Sequence, residues 1–161
     1  MIFTIEAISL IILFTLMIVP NVLRNPIGWI FDYPDAIQKR CIELGLITKK
    51  ETTKSKRTLI IKLSAVIIFA LIFALLLRYI NGITTFTNAF ITGYLLFLIV
   101  NWYDALILDC VWFCHSKKII IPGTEDMKEY KDYWYHIKGG FLGMIIGLIV
   151  CLIAGGFVVL L

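Results

Sequence analysis

Hydrophobic residues fall into four blocks, at about 3–20, 59–80, 89–114 and 139–161, separated by two long polar connectors and one short uncharged one. One helix crosses the hydrocarbon core of a bilayer in about 20 residues. Each block is close to that length, so the pattern predicts an all-α fold: an integral membrane bundle of four transmembrane helices, forming a single domain over 1–161. Pro20 and Asn21 predict a break or kink near the end of the first block. The start, MIFTIEAISLII, lacks a positive n-region and carries Glu6, so it reads as a retained helix rather than a cleaved signal peptide.

The connectors, 21–58 and 115–138, predict short helices of their own. In the first, DYPDAIQKRCIELGLI reads as a helix with Pro34 near its start and Gly45 at its stop, and with Ile37, Cys41 and Leu44 along one stripe. The KKETTKSKR stretch that follows reads as solvated and flexible. In the second, Pro122-Gly123 signals a turn, and Thr124 with Glu125 and Asp126 is suited to opening a helix that continues through KDYWYHIK. Tyr130, Tyr133, Trp134 and Tyr135 make an aromatic band of the kind found at membrane–water interfaces.

Charge sets the expected orientation. Lysine and arginine crowd both long connectors, from Arg24 to Arg57 and from Lys117 to Lys138, while Asn81–Asn88 carries no charge. The positive-inside rule then puts both connectors in the cytoplasm and both termini outside, in a bacterial cytoplasmic membrane. Composition agrees: 60% of residues are hydrophobic and 16% charged, against roughly 45–50% and 25% in soluble domains. The net charge of +4 arises beside apolar blocks, which points to the lipid bilayer and its anionic headgroups as partners and not to nucleic acid. Cys41, Cys110, Cys114 and Cys151 include no C-x-x-C pair, and structural disulfides are not expected.

Unusual chemistry concentrates in the third block, where Asn101, Asp104 and Asp109 interrupt an apolar run. A charged residue at mid-membrane costs about 2.5–3.5 kcal/mol on insertion scales, so something must offset it. At 100° per residue, Asn101, Asp104, Asp109, Trp112 and His115 fall within an arc of about 140°, a polar face expected to point into the bundle. Three readings follow: hydrogen bonds pinning helices together, a ligand or ion path open to the cytoplasm, or catalysis. Tyr130, Asp132 and His136 are candidates for the rim of such a site, with Asp132 and His136 spaced i,i+4 so that they can pair. Cys110, Cys114 and His115 are soft metal ligands, but adjacent helical residues splay apart and no metal is assigned. No cofactor motif is present.

The fourth block repeats small residues every four positions: Gly139, Gly143, Gly147, Cys151 and Gly155. Such a stripe lets another helix approach closely, either within the chain or across a homodimer. No H-E-x-x-H, G-x-S-x-G, phosphate-binding loop or dinucleotide fingerprint occurs.

The segment DCVWFCHSKKIIIPGTEDMKEYKDYWYH resembles one found in small bacterial four-helix integral membrane proteins of uncharacterised activity. Asp109, Pro122-Gly123-Thr124-Glu125, Tyr130, Asp132 and His136 carry the resemblance, and FDYPDAIQKRCIELGLI is similar to their first connector. It transfers no activity. It implies that the connector motif and the membrane acids form one functional unit. The leading expectation is a protein binding an amphiphile, small solute or ion in a polar intramembrane cavity open to the cytoplasm, with transport as the extension of that reading. The alternatives are an adaptor assembled through the glycine stripe and a lipid-modifying enzyme using His115 or His136.

Overall fold

The computed structural model describes residues 2–48 and 56–161, so most of the KKETTKSKR stretch lies outside the described residues. The chain forms α1 (Ile2–Arg24), a 3-10 segment (Pro26–Asp32), α2 (Asp35–Glu43) and α3 (Lys56–Leu75), which ends in a π turn at Leu76–Ile80. Then come α4 (Phe86–Tyr103), its π-helical continuation Asp104–Trp112 and three short 3-10 turns. The last helix is α5 (Tyr133–Leu160). No strand occurs among the described residues.

Among the described residues, the expected bundle of four transmembrane helices is corrected to three helices long and apolar enough to cross a membrane: Ile2–Arg24, Phe86–His115 and Tyr133–Leu160. In the second block the described apolar helix is the shorter Val66–Ile80. Lys56, Arg57 and Lys62 interrupt the apolar run on its N-terminal side, and Arg78 sits near its end. The expectation of both termini outside, drawn from the basic connectors, needs an even number of crossings, which three such helices do not supply. The other boundaries also shift. Pro20 lies inside α1 instead of ending it, and α5 begins at Tyr133 and runs through Gly139-Gly140 without a break. Leu13, Leu16, Ile107, Leu142 and Ile145 leave large apolar side chains exposed on the long helices, a surface suited to lipid.

Backbone contacts divide the chain into two units. The first comprises Met1–Ser9, Ser55–Asn101 and Phe141–Leu161. Here α4 and α5 run antiparallel, because small residues let their backbones approach. A Cβ on Gly143 would collide with the Asn101 amide, and one on Gly147 with the Phe97 ring. At Gly155 the nearest atom is Phe86, at 3.1 Å. The glycine stripe is therefore occupied by α4 of the same chain. On the other side of α4, Gly93 admits Phe73 and Leu77 at 3.1 and 3.2 Å. In this unit Asn81 Nδ2 also donates to Glu6 Oε2 at 2.9 Å.

The second unit comprises Leu10–Lys54 and Trp102–Gly140. Its core is built by the connectors. Ile37 and Cys41, one turn apart on α2, are fully buried with Tyr33, Ile119 and Ile121. The Tyr33 ring meets Phe113 edge-on at 4.8 Å and Tyr130 at 5.9 Å. The Tyr33 hydroxyl donates to the Ile119 carbonyl at 2.9 Å. Burial raises the pKa of both the Tyr33 and Tyr130 phenols, so each keeps its proton.

The Pro122–Glu125 turn is closed by three hydrogen bonds. Thr124 Oγ1 donates to the Ile121 carbonyl at 2.7 Å. That uses its single proton, so the 2.7 Å contact between the two hydroxyls is donated by Tyr130. The Tyr130 oxygen in turn accepts from the Ile121 N–H at 2.9 Å. Gly123 adopts φ +88°, and a Cβ there would meet Leu44 Cδ1 at 2.7 Å, so both backbone sign and space require glycine. The Glu125 carboxylate accepts from the Gly123 N–H at 2.9–3.0 Å, which holds its pKa below the usual carboxylate range.

Two stability predictions follow from this packing. Gly143→Ala and Gly147→Ala should each destabilise the protein by about 1–3 kcal/mol through overpacking. Gly139→Ala, whose Cβ meets nothing within 4 Å, should be near neutral; thermal melting in detergent separates the two groups. Tyr130→Phe leaves the Ile121 N–H without its acceptor and Thr124 without its donor, at a cost of about 1–3 kcal/mol. Thr124→Val should cost a similar amount, and the double variant less than the sum. Hydrogen exchange across 119–131 is the local readout.

Candidate functional site

The polar residues of the second unit meet where the π-helical stretch Asp104–Trp112 faces the first turn of α5. The π bond pattern joins residue i to i+5, so Asp104 and Asp109, five apart, come round to one side of the helix. Asp109, Asp32 and His136 all lie within the electrostatic reach of the Asp104 carboxyl. A straight α-helix would have turned them about 140° apart.

His136 anchors the site. Its side chain is 3% exposed, and its Nδ1 lies 3.2 Å from Asp109 Oδ2, which is 30% exposed. A carboxylate accepts only, so Nδ1 is the donor of this contact. Nε2 is buried and has no hydrogen-bond partner. The ring is fixed edge-on between Phe113 at 5.3 Å and Tyr135 at 5.4 Å. Tyr135 is itself tied to the 3-10 segment, donating its hydroxyl to the Phe31 carbonyl at 3.1 Å. The imidazole is thus oriented by a carboxylate and by two rings, and one nitrogen remains unsatisfied.

The other residues singled out in the sequence have separate roles. Asp132 does not pair with His136. Its Oδ1 accepts from the Tyr135 N–H at 3.0 Å, capping α5. His115 is exposed: Nδ1 donates to the Val111 carbonyl at 2.9 Å and Nε2 accepts from the Tyr133 hydroxyl at 3.2 Å. Tyr130 belongs to the turn latch. Asn101 lies in the first unit, its amide against Gly143. His115 and Tyr130 line a cavity of about 540 Å³ beyond the end of the second span.

Asp32, Phe113 and Tyr135 were missed as site residues. Asp32 and Asp104 stand far apart in sequence, and no spacing rule joins them. An acidic residue two positions before Pro34 was the only local signal.

All four cysteines are free thiols. Cys114 and Cys151 are buried, and the Cys110 thiol points to the Tyr133 carbonyl at 3.9 Å. Among the described residues, no three His, Cys, Asp or Glu side chains are grouped to hold a metal ion. Comparison of the chain with protein-family models, curated proteins and solved structures finds no match.

Asp109→Ala removes the acceptor that fixes the His136 tautomer. In ¹⁵N-histidine NMR the native protein should show one protonated and one bare ring nitrogen for His136. The variant should show mixed tautomers and lose about 1–3 kcal/mol of stability from the unpaired Nδ1–H. An unchanged spectrum would mean that Asp109 does not set the tautomer.

Proposed function

We propose that this multi-pass helical membrane protein holds a small cationic, hydrogen-bond-donating solute at the site formed by Asp32, Asp104, Asp109 and His136. The carrying observation is the buried, unpartnered Nε2 of His136, whose other nitrogen is held by Asp109. A buried acceptor left unpaired costs about 1–3 kcal/mol, which a ligand N–H or O–H would recover. Asp109 on the imidazole, with Asp104 and Asp32 in its electrostatic neighbourhood, favours positive charge there. Ionisable residues within membrane helices mark solute and ion paths, so a transporter is the natural extension of this reading.

The lysines and arginines of the two connectors favour a cytoplasmic side for the second unit by the positive-inside rule. The resemblance of the 109–136 segment to small bacterial membrane proteins favours the bacterial cytoplasmic membrane. The adaptor reading is weaker, because Gly143, Gly147 and Gly155 are already covered by α4. A carboxylate-oriented imidazole with a free Nε2 is also the arrangement of a general base, and that observation keeps a lipid-modifying activity as the second reading.

Native mass spectrometry of the full chain from mild detergent tests the binding reading. A small adduct should be retained at one per chain and lost in His136→Phe and in Asp104→Asn, with helix content unchanged. An adduct equally retained by both variants would place it elsewhere. Its absence from the native protein would leave the buried nitrogen to water.

A further inference from the structure

The second unit contains a second polar feature of opposite character, independent of the His136 site. Immediately beyond His115, where the second long apolar helix ends, the chain turns back through two short 3-10 turns and borders the open cavity of about 540 Å³. Its lining divides by chemistry. Phe113, Ile120 and Met127 give an apolar wall, and Lys117, Lys128 and Lys131 give a cationic one. The three lysines are exposed, and among the described residues none has an ion-pair partner. Glu125 also lines the cavity, but its carboxylate is engaged by the Gly123 N–H. The ionised side chains therefore sum to +2, three lysines less one glutamate.

Depth identifies the occupant. The cavity opens at the end of a helix long and apolar enough to span the bilayer. Exposed Tyr133 and Trp134 stand at the start of α5, with the Lys138 ammonium 5.7 Å from the Trp134 ring centroid. Aromatic rings and lysines at helix ends occupy the headgroup layer. A soluble phosphoester would use the lysines but make no use of the half-buried faces of Ile120 and Met127 that line the cavity. A lipid uses both, because its phosphate and its first methylenes lie within a few ångströms of each other. We propose that this cavity seats one anionic phospholipid, with Lys117, Lys128 and Lys131 holding the headgroup phosphate and the apolar wall covering the glycerol and upper acyl chain.

The test is native mass spectrometry of the full chain in mild detergent, titrated with phosphatidylglycerol or with phosphatidylcholine of the same acyl chains. One phosphatidylglycerol per chain should be retained in preference to phosphatidylcholine. Replacing Lys117, Lys128 and Lys131 together with glutamine should weaken retention by roughly 100-fold, at about fivefold per lysine. Replacing Lys39, Lys118 and Lys138 with glutamine removes the same charge outside the cavity and should leave it unchanged. If the first triple variant fails to melt cooperatively, Lys128→Gln alone should still give the fivefold loss. Equal retention of the two lipids overturns the proposal. So does equal loss in both triple variants, which would mean diffuse surface charge. Displacement of the lipid by an equal concentration of glycerol phosphate would assign the lysines to a soluble phosphoester and also overturn it.

Discussion

Between Tyr103 and Phe113 the second long helix widens into a π-helix, and the placement of Asp104 and Asp109 relative to His136 depends on that change of pitch. With bonds running from i to i+5, Asp104 and Asp109 share a side that an α-helix would deny them. Asp109 then reaches the imidazole of a residue in the first turn of α5. The π form is the rarer and less stable helix, appearing mostly as short interruptions at functional sites. Here it extends over Asp104–Trp112, and it coincides with the only two aspartates of the third block. The Asp109–His136 contact and the edge-on packing of Phe113 on the same imidazole are the interactions that stabilise this pitch from outside.

The connectors hold the remaining part of the site in place because they have a core of their own. Tyr33 is fully buried, touches Phe113 and Tyr130, and donates to the Ile119 carbonyl. Through it the 3-10 segment carrying Asp32 is fastened to the turn that follows the second span. The Thr124–Tyr130–Ile121 circuit does the same locally. Each hydroxyl donates once and accepts once, so neither is left with an unmet requirement inside an apolar cluster. Connectors without such a core would leave His136 facing water, and the unpaired nitrogen would then carry no energetic meaning.

The membrane character, the long apolar helices and the short helix between Pro34 and Gly45 were legible in the sequence because each has a local physical signature. The small-residue period identified a close-packing face, and Gly143 and Gly147 lie on it. Gly139 proved open, however, and Gly140 instead meets Ala105 and Trp102. In the second block the continuous hydrophobicity suggested a fourth crossing, while among the described residues its apolar helix is the shorter Val66–Ile80. The site was half legible. Asp104, Asp109 and His136 stood out as polar residues in apolar surroundings, yet their mutual placement did not. The arc computed for them assumed 100° per residue, and nothing in DALILDCVW announces a π pitch. Asp132 shows the complementary error. Its i,i+4 spacing from His136 suggested a pair, but a helix beginning at Tyr133 makes Asp132 the cap, and a capping carboxylate turns to the backbone.

The separation of charge within the second unit is informative in itself. Asp32, Asp104 and Asp109 cluster around one imidazole, while Lys117, Lys128 and Lys131 line a cavity on the other side of the turn latch, and no ion pair joins the two sets among the described residues. Phe113 borders both: its ring packs on His136 and lines the lysine cavity. If these charges served only stability, pairing them would be the cheaper arrangement, because an aspartate near the membrane is costly unless compensated. Phe113 thus separates the Asp109–His136 pair from the lysine-lined cavity, so that one buried ring belongs both to the connector core and to the lining of the cavity beside it.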